Sequence, residues 1–95
     1  MSFHLYIVAC ADGSLYTGIA TDVARRVLEH NGVKGPGVKG KGAKYTAARR
    51  PVRLVYQARY LTRSQALKAE LRVKRLTKGQ KLALIATGDE RVPTA

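Results

Sequence analysis

The sequence predicts an α+β domain, a small three-stranded, mostly antiparallel sheet flanked by helices in the order β-β-α-β-α-α. Three features carry that reading. Residues 4–10 form an apolar, partly β-branched run that meets a tight-turn signal at Asp12-Gly13 and returns at residue 14, the pattern of a hairpin. Residues 53–60 alternate with a period of two. Thr62-Arg63-Ser64-Gln65 and Thr77-Lys78-Gly79-Gln80 both have capping-box spacing, in which the threonine hydroxyl and the glutamine side chain satisfy the first free N–H groups of a helix.

In chain order, the first strand spans residues 3–11 and the second 14–20. Thr21 or Asp22 caps the first helix, Asn31-Gly32 ends it, and Val23, Ala24, Val27 and Leu28 share its apolar face. Residues 32–42 hold five glycines, three lysines and Pro36, a composition that predicts a mobile basic loop. A third strand covers residues 51–60, with Leu54, Tyr56, Ala58 and Tyr60 on one face and Arg53, Val55, Gln57 and Arg59 on the other. A helix over 63–76 and a shorter one ending near Gly88 complete a single domain of residues 1–88, followed by a flexible tail, 89–95.

A chain of 95 residues has room for one core, and a hydrophobic fraction of 45% fills it. The net charge is +12 with a pI near 10.5, so the expected partner is a polyanion, nucleic acid first of all. No helix joins a polybasic face to Trp or Phe anchors, which argues against a membrane surface. Cys10 is the one cysteine, so no intrachain disulfide forms, and its apolar strand makes it a core residue. No apolar run reaches the length of a signal peptide or a membrane span; the expected location is cytoplasmic.

Glu70 is the one acidic residue in the 51 positions from 31 to 81, among fifteen lysines and arginines. With Ala66 at 0° on a helical wheel, Glu70 falls near 40°, in an arc with Val73 near 340° and Leu76 near 280°. A carboxylate on the inner side of a helix needs a partner or an ion. Lys74, four residues on, is the ordinary partner; a divalent metal is the functional one. Arg26 and His30 share an edge of the first helix, as a phosphate-binding guanidinium with a proton-handling imidazole or as a solvated pair. Tyr6 and Tyr16 lie across the hairpin from one another, close enough to be neighbours, in chemistry or simply in packing.

The spaced set of His4-Leu5-Tyr6, Tyr16-Thr17-Gly18, Arg26, His30 and Glu70 resembles the GIY-YIG endonuclease superfamily over residues 3–85. It is most similar to the small stand-alone bacterial branch, which shares patterns like Thr21-Asp22, Arg25-Arg26, Lys44-Tyr45-Thr46 and Arg49-Arg50-Pro51, and it resembles the nuclease domain of flap- and junction-cutting enzymes. The resemblance implies that Glu70 is the single protein ligand to Mg²⁺ or Mn²⁺, that Arg26 steadies the transition-state phosphate, and that Tyr6, or else Tyr16, takes a proton from the attacking water with help from the other tyrosine and His30. It implies that Gly18 lets its strand approach DNA. His4-Leu5 departs from the family's usual first two letters, and Lys81-Leu82-Ala83 stands where many relatives place an asparagine.

The binding surface is expected on Lys34, Lys39, Lys41 and Lys44 with Arg49, Arg50 and Arg53, and Tyr45 is placed to stack on a base or to pack beneath the loop. No recognition helix is evident, so DNA would be read through its backbone, with branched or single-stranded forms favoured over a sequence. Two rivals stand beside this reading: a non-catalytic RNA- or ribosome-associated binding protein, and a nuclease subunit that depends on a protein partner.

Overall fold

The computed structural model describes residues 2–38, 40 and 42–88. Strand β1 (Phe3–Ala9) runs up the middle of the sheet, β2 (Leu15–Ala20) pairs with it antiparallel on one side, and β3 (Arg53–Tyr60) pairs antiparallel on the other. The Asp12-Gly13 turn closes the hairpin, with Cys10 N–H donating to the Ser14 carbonyl at 2.8 Å and Asp12 accepting from both the Ser14 N–H and hydroxyl.

Alternation in β1 divides the core between two faces. Leu5 and Ile7 point toward α3 (Arg63–Lys74) and α4 (Lys78–Thr87), packing with Tyr56, Ala69, Val73 and Leu84. Tyr6, Val8 and Cys10 point the other way, toward α1 (Val23–His30), with Val23 and Val52 buried beside them. The three longer helices are each capped by a side chain at the N-terminus. Asp22 accepts from Arg25 N–H, Thr62 and Thr77 complete both expected capping boxes, and Gly88 closes α4 in the left-handed region.

Four features depart from the sequence reading. A one-turn helix, α2 (Lys44–Ala47), lies between the loop and β3; four residues are too few to show a period, and no side chain caps it. The loop is partly docked: Gly35 bridges Val38, Gly40 donates its backbone N–H to Glu29 of α1, and the Ala43 N–H faces His30 at 3.3 Å. Opposite β1, the register of β3 shifts between Ile7 and Val8, which pair with Tyr56 and Leu54, so Val55 is the extra residue of a bulge. The period-two frame breaks there: Val55 packs against the core and Leu54 is 37% exposed. Finally, Ala24 and Leu28, expected on the apolar face of α1, are exposed, and on α3 so are Leu67 and Leu71. The inner stripe of α3 is instead Ala66, Ala69 and Val73, small residues that let the helix sit close to the sheet.

Candidate active site

The hairpin and α1 bring four side chains to one place. Tyr6 pairs with Gly18 in the register and Val8 with Tyr16, so the two tyrosines are diagonal neighbours on the α1 face of the sheet. The Tyr6 hydroxyl lies 2.6 Å from His30 Nε2. The rings of Tyr6 and Tyr16 lie 5.7 and 5.2 Å from that of His30, so the imidazole is shared by both phenols. The Arg26 guanidinium, one turn earlier on α1, is close enough to the same Tyr6 hydroxyl to pull its pKa down. Position on the helix explains the set: residues 23, 26, 27 and 30 fall on one face, and that face lies on the sheet.

Gly18 has an internal reason to be glycine. A Cβ there would stand 2.6 Å from the Tyr6 hydroxyl oxygen, so the missing side chain is the space the phenol occupies. Gly18 is buried in β2 beneath that ring.

Burial pulls the phenol and the imidazole apart in acidity. Desolvation, resisted by Arg26, raises Tyr6 to about 12. Desolvation, reinforced by Arg26, lowers His30 to about 4. Both are therefore neutral near pH 7, a protonated phenol against an uncharged ring.

Glu70 enters from α3. Its charge acts on Tyr6, raising that phenol, which brings the carboxylate within electrostatic reach of the cluster. Its side chain is 20% exposed, at the edge of the buried arc where a fully interior place was expected, because the small residues Ala66 and Ala69 define the inner stripe. Lys74 Nζ stands 3.4 Å from its Oε2, so the ordinary ion-pair partner is present. Among the described residues no three His, Cys, Asp or Glu side chains form a metal cage. A lone, solvent-reaching carboxylate fits a hard cation that keeps most of its waters and takes a further ligand from a bound phosphate.

The sequence reading missed Glu29. It lies buried on α1 just ahead of the 31–81 window, where a four-residue spacing pairs it with Arg25 and looks like an ordinary surface pair. Its carboxylate accepts from Arg26 Nη1 at 3.0 Å and from the Gly40 N–H at 3.2 Å, and Arg26 holds its pKa below the usual value. Glu29 thus aims the arginine and moors the loop. Thr46, fully buried, was read only as part of a motif; its hydroxyl lies 2.8 Å from His30 Nδ1.

The expected binding surface is only partly a free cationic face. Lys34 and Lys44 are exposed, as is Arg53 at the start of β3; Lys39 and Lys41, like the tail 89–95, lie outside the described residues. Arg49 forms an ion pair with Asp12 at 3.0 Å and donates to the Tyr45 carbonyl at 2.9 Å. Arg50 donates to the His30 carbonyl at 2.7 Å, satisfying the C-terminal end of α1. Tyr45 is 40% exposed, but its ring stacks against Tyr16 at 5.8 Å and carries the Arg49 guanidinium at 3.9 Å from its centre. It is already engaged in stacking with the protein's own groups.

The sequence and its α+β fold place this domain in a nuclease family. Residues 2–83 match the GIY-YIG catalytic domain, and the chain belongs to that family. It is 56% identical to a UPF0213 protein of Staphylococcus epidermidis over 84 residues, covering 88% of this chain and 94% of that protein. A UPF0213 protein of Staphylococcus saprophyticus is 49% identical over 85 residues, 90% of this chain and 95% of the relative. Among solved structures, the solution NMR structure of a UPF0213 protein from Bacillus halodurans has a TM-score of 0.56 at 38% identity, covering 100% of this chain and 95% of that one. The solution NMR structure of a protein from E. faecalis gives 0.59 at 36%, covering 92% and 85%.

Proposed function

We propose that this protein is a metal-dependent endonuclease that hydrolyses phosphodiester bonds in DNA, selecting substrates by shape. The observation that supports this most is the convergence of two phenols, an imidazole and a guanidinium, with the Glu70 carboxylate within electrostatic reach of Tyr6, in a chain of net charge +12. In this reading Arg26, oriented by Glu29, binds the scissile phosphate and stabilises the charge that builds on it. Tyr6 takes the proton from the attacking water. Its high pKa means that it cannot serve as a resident phenolate, so its own proton must leave as the other arrives, and His30 Nε2 is 2.6 Å away. Phosphate bound at Arg26 offsets the charge that helps hold His30 low, so the ring becomes a better acceptor once substrate is in place.

Glu70 would hold Mg²⁺ or Mn²⁺, which when bound supplies charge stabilisation to the phosphate and to the departing oxygen. Lys34 and Lys44, with the loop lysines and Arg53, would track the DNA backbone without reading bases. The Glu70–Lys74 contact favours one alternative, a non-catalytic nucleic-acid-binding protein in which that pair is an ordinary helix ion pair. A need for a protein partner belongs to the same set of proposals.

Labelled flap, four-way-junction, duplex and single-stranded DNA, incubated with Mg²⁺ or Mn²⁺ and in parallel with EDTA, separates these. Cleavage only with metal, and preferentially at branches or single strands, supports the nuclease. Tight binding with no cleavage under any condition supports the alternative.

A further inference from the structure

The cluster contains one group whose state is set from outside it. His30 is wholly buried, and its two ring nitrogens face different partners: Nε2 the Tyr6 hydroxyl at 2.6 Å, Nδ1 the Thr46 hydroxyl at 2.8 Å. A neutral imidazole carries one proton, so the partner at Nδ1 decides whether Nε2 is bare.

Thr46 has one hydroxyl proton and two acceptors compete for it. Its Oγ1 lies 2.9 Å from the Ala43 carbonyl, in geometry suited to donation along the turn of α2. With the proton placed there, Oγ1 presents a lone pair to His30, and Nδ1 must carry the ring proton. The Ala43 N–H points at the same Nδ1 and would favour the opposite arrangement, but at 3.3 Å it is the longest of the three contacts and lies beyond the usual range for an N–H donor. At the other end, the Tyr6 hydroxyl lies 2.6 Å from Nε2, and a ring protonated at Nδ1 leaves Nε2 as the acceptor for its O–H.

We propose that Thr46 is a positioning residue that fixes His30 as the Nδ1–H tautomer, leaving Nε2 bare to receive the phenolic proton of Tyr6. This rests on the nuclease reading and deepens it. The step balances as follows. The Tyr6 O–H bond breaks and its proton goes to Nε2; a water proton replaces it on the phenolic oxygen. The hydroxide so formed attacks phosphorus, the P–O3′ electron pair leaves on the oxygen, and the imidazolium returns its proton through solvent to that alkoxide. Thr46 touches none of the reacting atoms. It acts through the ring.

The location adds a consequence. Thr46 sits in α2 beside Lys44 and Tyr45, just after the segment whose Gly40 N–H donates to Glu29 of α1. The turn expected to meet the DNA backbone is therefore the turn that sets the proton acceptor.

The chain has two histidines, His4 and His30, so long-range ¹H–¹⁵N correlation spectra show two ring systems, and His4→Gln assigns them. In wild type, His30 is expected to show a protonated Nδ1 and a bare Nε2. Thr46→Val, near in shape but without the hydroxyl, should move the proton to Nε2 and lower kcat by about tenfold or more with KM little changed. Thr46→Ser should restore both the tautomer and the rate. A wild-type His30 protonated at Nε2 overturns the proposal, as does a Thr46→Val protein whose ring stays protonated at Nδ1. The wild-type spectrum alone is decisive if Thr46→Val does not fold. The ring state is read without substrate, so failure to find any cleavage by wild type would remove the nuclease reading without touching the tautomer result.

Discussion

The Tyr6 hydroxyl and His30 Nε2, 24 residues apart in the chain, stand 2.6 Å apart in the fold, and their acidities are driven in opposite directions, to about 12 and about 4. The phenol is held as an acid and the imidazole as a neutral acceptor, an arrangement made by burial, which Arg26 reinforces at His30 and resists at Tyr6.

That relationship distinguishes the two tyrosines. Tyr6→Phe removes the oxygen that contacts His30 and that Arg26 acts on, and cleavage should fall by about two to four orders of magnitude. Tyr16→Phe keeps the ring that packs on His30 and Tyr45, so its effect should be several-fold smaller. Single-turnover rates for the two variants check this; equal losses would mean that the phenols act as a unit.

Acid should destabilise the fold through His30. Its folded pKa is about 4 and its ordinary value 6.5, so between these the unfolded chain binds more protons than the folded one. The stability concerned is complete above pH 6.5 and is lost as pH falls toward 4. Carboxylates such as Glu29 begin to contribute only near and below their ordinary value of 4.5. Denaturant midpoints measured from about pH 8 to pH 5 should decline in wild type and stay flatter in His30→Gln. A wild-type midpoint constant over that interval contradicts a buried neutral imidazole.

Gly18→Ala tests whether the site is packed as described. The new methyl would meet Tyr6 oxygen at 2.6 Å, in a place where the phenol is also held by His30. Overpacking of this kind costs about 1–3 kcal/mol. A matching fall in denaturant midpoint together with slower cleavage is expected, and an unchanged protein would place the Tyr6 ring elsewhere.

Much of this could be read in the sequence, and the parts that could not have physical reasons. Local signals gave the hairpin turn at Asp12-Gly13, the Asp22 cap and both threonine–glutamine capping boxes, because each is settled within a few residues. The GIY-YIG resemblance named the residues that converge, although no periodicity could bring Glu70 near Tyr6. What escaped depends on distant partners. The bulge at Val55 is a property of pairing with β1, and α2 is too short to carry a pattern. Arg49 and Arg50 also carry structural bonds that no local pattern signals, one to Asp12 and Tyr45 and the other to the end of α1.

Binding should depend steeply on salt. Six neutralised phosphates give an affinity loss of roughly a thousandfold between low and physiological salt. Lys34→Ala and Lys44→Ala, both at exposed positions, should each lower the log–log slope by about one, with little change between sequences. Fluorescence anisotropy across a salt series measures this directly, and a slope unaffected by either change would move the DNA path off this loop.

The most direct test concerns one carboxylate. Cleavage of a labelled flap by wild type and by Glu70→Ala, with Mg²⁺ and with affinity measured in parallel, asks whether Glu70 is a ligand or only the partner of Lys74. Losing a half-exposed ion pair changes stability by no more than about 1 kcal/mol, so the variant should fold. The expected result is cleavage abolished with DNA affinity retained; metal-dependent cleavage that persists at the wild-type rate would contradict the account.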